Sequence, residues 1–406
     1  MIRIPLLPEG TYARSLANLF LMAVTYYHRL SGKEVSYTGN FLEFEGNAKD
    51  ISTSFSAATH AIIEVIKERQ PTTVKMHKND RTVISKALNN LGVGSLPQDY
   101  VKSFHLLLKA FSRELESNNG CKIISDIMLT KRNKKDVKYG EEGLAPLQVF
   151  KLEKYEYGRD FLNLSKIKGD IKLSPYWMAI VAGGWLLSYM GVKGGYLTYS
   201  LPPEELIEHA LYSREGMYAI MTTYGVNDPI AAYRSDGILS SPSRIRSSSV
   251  LPSAYQILLA LENASTNIGP EGFSLRIVRV SYDGKRFTVV EDSIINLSTL
   301  MDFAKALIAS DEATSAVRRL AECAIQGYEK QMRERCKQAF ADTSTAIKMI
   351  NLLYRAAIGS ELPERAVYQL ARLSPMPRDN FMPPFKKQRV LEWIYKSLAG
   401  ASRLEL

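Results

Sequence analysis

The longest apolar run of the chain is Trp-Met-Ala-Ile-Val-Ala-Gly-Gly-Trp-Leu-Leu-Ser-Tyr-Met at residues 177–190. Its 14 residues fall short of the ~20 that a helix needs to cross a bilayer. The run therefore predicts a helix buried in a protein core, and no membrane segment. Ser174-Pro175 is a sound start for it, because serine caps free amides and proline presets φ at the first helical position. Gly-Val-Lys-Gly-Gly at 191–195 ends it as a helix-to-strand turn. The N-terminus, Met-Ile-Arg-Ile-Pro-Leu-Leu-Pro, lacks the order of a signal peptide.

A chain of 406 residues is too long for one ordinary core, and about two to three domains is the prior. With 46% hydrophobic and 23% charged residues it has the composition of a folded protein. Residues 11–30 read as a helix with Leu16, Leu19, Phe20, Ala23, Val24 and Tyr27 on one apolar face. Residues 34–44 read as a β-hairpin around Thr-Gly-Asn. Helices follow near 54–69, 81–91 and 97–116, with Asp80 and Pro97 as start signals. Residues 123–129 and 147–155 read as strands. Residues 196–201 form a short strand before a Pro-Pro-Glu-Glu helix start. Residues 274–290 carry Asp283-Gly284 between β-branched runs, the sequence a type I′ hairpin turn requires.

Beyond about residue 298 the pattern is helical. One helix is predicted from 310 to about 340, with Val317, Leu320, Ala324, Tyr328 and Met332 as its seam and Glu329 to Arg333 as an i,i+4 pair. Another spans 342–358, closed by Gly359. A third opens near Leu362-Pro363, and a basic helix spans 386–398. The expected fold class is α+β: a mixed α/β N-terminal and central region with hairpins over 1–300, then an α-helical C-terminal region over 301–406.

The usual constellations of enzyme chemistry do not stand out. His28, His60, His77, His105 and His209 share no metal-binding spacing, and the first, second and fourth of these read as partly buried, satisfied side chains. No nucleophile elbow, cysteine-protease signature or Walker-type phosphate loop is present. Glu141-Glu142 and Glu204-Glu205 need no catalytic role. Cys121, Cys323 and Cys336 are widely spaced and odd in number, which argues against disulfides and structural zinc and for a reducing, cytoplasmic setting. The expectation is a protein that is not an enzyme and takes no metal or cofactor.

Basic features are plentiful, and the net charge is +10. Lys-Arg-Asn-Lys-Lys-Asp-Val-Lys at 131–138 carries five cations against Asp136. Such a run repels itself unless solvent or a polyanion screens it, and phosphate backbones reward each cation that displaces a counterion. Lys131, Arg132, Lys134 and Lys135 are the leading candidates for contact with nucleic acid; a solvated loop is the plainer alternative. Lys75, Lys78 and Arg81 lie around a helix-to-helix link that also holds Lys67, Arg69 and His77. Arg244 and Arg246 belong to a hydroxyl-rich stretch at 234–249, which fits phosphate contact or a connector. Lys193 in the glycine turn could meet a phosphate, although a plain turn fits too. Lys386, Lys387 and Arg389 fit a solvated helix face. Tyr155, Tyr157, Tyr196 and Tyr199 could stack bases or fill a core.

Through the middle of the chain the elements run in a characteristic order. Phe-Lys-Leu-Glu-Lys-Tyr-Glu-Tyr at 150–157 precedes Ile-Lys-Leu-Ser-Pro-Tyr-Trp-Met at 171–178. Gly-Gly-Tyr-Leu-Thr-Tyr-Ser-Leu-Pro-Pro-Glu-Glu-Leu at 194–206, Leu-Pro-Ser-Ala-Tyr-Gln-Ile-Leu at 251–258 and the 277–290 hairpin complete it. Over about residues 120–300 this order resembles the large subunit of archaeal type I-A CRISPR interference (Cascade) complexes. The resemblance implies a non-enzymatic subunit with crRNA, target double-stranded DNA, other Cascade backbone and small subunits and a helicase-nuclease as partners. It also implies a part in protospacer-adjacent-motif recognition, guide pairing supplying the rest of the specificity. It transfers no individual contact residue. The alternatives are a nucleic-acid-processing enzyme whose site assembles only in three dimensions, and a basic scaffold protein.

Overall fold

The structure, a computed structural model, describes residues 1–94, 98–117, 119–132, 136–152, 170–193, 196–203, 207, 210, 217, 220–221, 224–226, 253–265, 274–282, 287–296, 298–326, 330–377 and 381–401. The chain divides into two compact units. One comprises Met1–Ser243 with Arg276–Ser293; the other comprises Arg244–Leu275 with Ile294–Leu406. The fold is mixed α+β with a helical C-terminal region, as expected.

The first unit is built around two helices, α1 (Tyr12–Leu30) and α6 (Pro175–Ser188). Thr11 caps α1 by accepting from the Arg14 amide, and Ser174 caps α6 by accepting from the Trp177 amide. The expected seam of α1 is buried, with Tyr27 half-buried. Gly183 and Gly184 explain how closely the two helices approach. A Cβ at Gly184 would stand 1.8 Å from the Leu16 carbonyl oxygen, and one at Gly183 would stand 2.5 Å from the Phe20 ring. Only a residue without a side chain permits that spacing. Trp185 stacks on Tyr189 at 4.5 Å and meets Phe104 edge-on at 5.0 Å.

Around this pair lie α2 (Ala48–Arg69), α3 (Lys78–Asn90), α4 (Tyr100–Glu116) and α5 (Gly120–Met128). Strands β1 (Ile2–Pro5), β2 (Val35–Tyr37) and β3 (Phe41–Phe44) form an antiparallel sheet in the order β1-β3-β2, which bears out the 34–44 hairpin. Strands β4 (Thr130–Arg132), β5 (Asp136–Tyr139) and β6 (Asp170–Leu173) form a second, mixed sheet. A third has the order β10-β9-β8-β7, from β7 (Tyr189–Lys193), β8 (Tyr196–Leu201), β9 (Ser274–Tyr282) and β10 (Phe287–Asn296). The predicted 274–290 hairpin is thus present; its Asp283-Gly284 turn lies outside the described residues.

The structure corrects several expectations. Residues 123–129 belong mainly to helix α5 rather than to a strand. Ile123, Ile124 and Ile127 are buried at helical spacing, and so short an apolar run fits either period. Over 147–152 the chain makes a single 3₁₀ turn, Gln148–Phe150, instead of a strand. The helix at 175 stops at Ser188, and β7 continues through Lys193, so Gly191 and Lys193 are in a strand rather than a turn. The caps of α3 and α4 are His77 and Asp99, not Asp80 and Pro97.

Apart from the end of β10, the second unit is mainly helical among its described residues: α7 (Ser253–Ser265), α8 (Ser298–Leu307), α9 (Asp311–Gln326), α10 (Lys330–Phe340), α11 (Thr343–Ala357), α12 (Pro363–Leu373) and α13 (Gln388–Ala401). Asp342 caps α11, and Gly359 follows it with φ of 76°. The single helix expected over 310–340 is two. Val317, Leu320 and Ala324 are buried as expected, whereas Tyr328, Glu329 and the Met332 side chain lie outside the described residues. α9 and α10 are joined by a disulfide between Cys323 and Cys336, with Cα atoms 5.5 Å apart. That corrects the expectation of unpaired cysteines: 13 positions along one helix would separate the pair by about 20 Å, but the chain folds back.

Candidate nucleic-acid interface

Of the run at 131–138, the described residues 131–132 and 136–138 lie in strands β4 and β5. β4 and β5 pair antiparallel with Lys131 opposite Lys138, and β5 and β6 pair parallel with Lys138 opposite Lys172. Side chains directly opposite one another share a face of the sheet, so three lysines form a row across it. The neighbouring positions point the other way. Tyr139 and Leu173 are buried, with the Tyr139 ring 5.5 Å from Trp177 and its hydroxyl donating to the Leu6 carbonyl at 3.1 Å. One face of the sheet is thus fixed to the core while the other carries the row. Lys131 is exposed, and Lys138 and Lys172 are half-buried.

Gly143 lies beside the two half-buried stems. A Cβ there would be 3.0 Å from the Lys138 Cε and 3.3 Å from the Lys172 Cβ. The same face carries Asp136, which is opposite Asp170 in the register, yet none of the three lysines makes an ion pair among the described residues. Opposed like charges weaken a sheet, so the row costs folding energy that a bound polyanion would return. Arg132, exposed in β4 opposite Val137, adds to the positive edge.

A second basic group stands at the start of α3. Lys75 is exposed, Lys78 is the first helical residue and exposed, and Arg81 is half-buried one turn on. The Arg81 Nε is buried without a partner among the described residues. A helix N-terminus already presents partial positive charge and free amides. The first turn's acid, Asp80, does not offset them because it faces inward. Its carboxylate accepts from the Tyr100 hydroxyl at 2.7 Å and from the Gln148 amide at 2.9 and 3.0 Å. Burial pushes the Asp80 carboxyl above its usual range, although the Gln148 and Tyr100 hydrogen bonds pull the other way. At the far end of α3, Asn90 donates to Glu142. Both ends of α3 are therefore tied to the segment 140–148 that follows β5, which sets the two basic groups on a common scaffold.

The remaining candidates divide. Lys134, Lys135, Arg244 and Arg246 lie outside the described residues, as do Tyr155 and Tyr157. Lys193 takes a strand position opposite Tyr196, and its side chain lies outside the described residues. Arg69 is committed to the fold, since it donates to the Leu186 and Leu187 carbonyls at 3.1 Å, at the end of α6. Lys67 pairs with Glu64, and Lys387 with Glu312 at 2.7 Å. Tyr199 is buried beside Trp185 and Tyr189. Sequence reasoning misses Lys172, because its place in the row depends on a parallel partner 34 positions earlier.

Among the described residues the histidines give no relay. His28 is buried, its Nε2 facing the Glu45 carbonyl at 2.8 Å and its Nδ1 facing Ser54 at 2.9 Å; burial lowers its pKa. His105 is half-buried as expected, but its Nε2 has no partner among the described residues; His60 is hydrogen-bonded as expected but exposed rather than partly buried. Ser112 and Glu116 both approach His60, but at the same nitrogen, Nε2. A nucleophile–base–acid relay needs them on opposite nitrogens.

Comparison with known proteins adds one match. Residues 45–320 match the family described as CRISPR-associated protein (Cas_Csx9), a span running from the start of α2 to within α9 and including all three lysines of the row. No curated protein matches the chain.

Proposed function

The chain belongs to the Cas_Csx9 family of CRISPR-associated proteins, and from that premise we propose that it is a non-catalytic, nucleic-acid-binding subunit of a crRNA-guided effector complex. Family membership gives it a role in CRISPR defence. The resemblance to type I-A large subunits supports the finer reading: target-DNA binding, a part in protospacer-adjacent-motif recognition, and docking of the helicase-nuclease. In this reading it works beside the backbone and small subunits and takes no cofactor. No helix among the described residues is long and apolar enough to cross a membrane.

The observation that carries the proposal is the lysine row. Three like charges held opposite one another on a sheet, without ion-pair partners among the described residues, suit a ligand with evenly repeated negative charge. Lysine acts there as a point charge on phosphate, giving position rather than sequence. If Lys75, Lys78, Arg81, Lys131, Lys138 and Lys172 each engage a phosphate, duplex-DNA affinity plotted against log salt has a slope of about −5. The test is affinity purification of the tagged full chain from its host, followed by RNA sequencing, partner identification and the salt titration. Co-purifying guide-length CRISPR RNA with other effector subunits, and a steep slope, are expected. Absence of guide RNA together with salt-independent or no DNA binding would overturn the proposal.

A further inference from the structure

The second unit holds a feature that the lysine row does not explain. Between α9 and α10 lies an open groove of about 500 Å³, lined by Ser315, Arg318, Arg319, Glu322, Arg335 and Gln338. Three of the six are arginines, one is an acid, and the other two offer a hydroxyl and an amide. Arg335 and Gln338 are exposed, and Arg318 and Arg319 are half-buried. The two walls are fixed to each other. Arg319 Nη2 donates to the Arg335 carbonyl at 3.3 Å, and the buried Cys323–Cys336 bond joins the helices next to Glu322 and Arg335. The arginines therefore meet across a braced gap rather than on separate mobile surfaces.

We propose that this groove is a second nucleic-acid site, which holds the phosphodiester backbone of a single strand without reading its sequence. The planar guanidinium fork matches phosphate geometry and can bind it through two parallel hydrogen bonds. Ser315 and Gln338 add neutral donors of the kind that commonly contact phosphate oxygens. None of the lining residues is aromatic, so nothing in the groove stacks a base; base recognition by single-strand binders depends on such rings. The groove is open to solvent rather than enclosed, which suits a strand lying across it better than a buried mononucleotide. With Glu322 the six lining residues carry a formal net charge of about +2. The inference rests on the preceding reading only in taking nucleic acid as the ligand.

The test uses the full chain and fluorescent oligo(dT) of graded length, with anisotropy followed across a salt series. Arg319→Gln with Arg335→Gln should lower the magnitude of the salt slope by about 1.4, and Arg335→Gln alone by about 0.7, since each single-strand phosphate contact contributes about 0.7. Arg335 is exposed, and its side chain makes no ion pair or hydrogen bond among the described residues, so the single variant guards against misfolding. Lys131→Ala/Lys138→Ala/Lys172→Ala is measured in parallel. An unchanged slope in both arginine variants, with loss in the lysine variant, would overturn the groove and leave the subunit reading intact. Thymidine monophosphate competing as well as the longest oligomer would replace the strand with a nucleotide pocket. Polyglutamate competing equally would replace it with a surface for an acidic protein. No binding by the wild-type chain to either single-stranded or duplex nucleic acid would overturn both proposals together.

Discussion

The contact of α1 with α6 and the lysine sheet are both in the first unit, yet they obey opposite rules. At the helix contact the backbones approach until no side chain fits between them, and what Gly183 and Gly184 meet is the apolar Phe20 and Leu16. In the sheet, one face copies that order through Tyr139 and Leu173, while the other sets three lysines opposite one another. The first arrangement is what folding alone would select. The second is locally unfavourable and persists on a strand that the core already holds in place. A region that folding does not explain is where function is best sought.

The largest expected effect comes from breaking the first region. Gly184→Ala would place a Cβ 1.8 Å from the Leu16 carbonyl oxygen and 2.5 Å from its carbon, both backbone atoms that cannot rotate aside. Overpacking usually costs about 1–3 kcal/mol; with backbone on the far side, about 3 kcal/mol or more is expected, read as a lower urea midpoint. Gly183→Ala is the milder comparison, because its obstacle is the Phe20 ring, a side chain. Equal tolerance of both substitutions would show that the helices are not in this contact.

The second effect lies in the other unit. Removing the Cys323–Cys336 bond by a double serine substitution should cost about 3 kcal/mol, the loop-closure value for a short cross-linked loop. Urea unfolding with and without reductant tests it, and identical curves for the wild type would mean the bond does not form. This pair also marks how far the sequence could be read. Local signals were legible: the Ser174 cap, the helix starts at residues 11 and 342, the 34–44 hairpin, and the core character of residues 177–188. What depends on chain reversal was not. Cys323 and Cys336 meet only because the predicted 310–340 helix is two. Residues 123–129 carry too few apolar positions to separate strand from helix. In the basic run, charge density singled out Lys131 and Arg132, but Lys138 and Lys172 join them in a row only through register, which no local pattern encodes.

The smallest expected effect on folding should accompany a clear effect on binding, and that combination separates the two regions most sharply. Lys138 is the middle of the row and faces both Lys131 and Lys172. Lys138→Met keeps an unbranched stem against Gly143 and removes the charge. Each relieved like-charge pair contributes about 0.2–1 kcal/mol, so the variant should match or slightly exceed the wild type in urea. Its duplex-DNA salt slope should fall in magnitude by about 0.9, one phosphate contact. Stability held or gained while binding is lost is what a residue kept for its ligand shows. A less stable variant with an unchanged slope would instead make Lys138 part of the packing under residues 140–148, and the row would then belong with the helix contact as a structural feature.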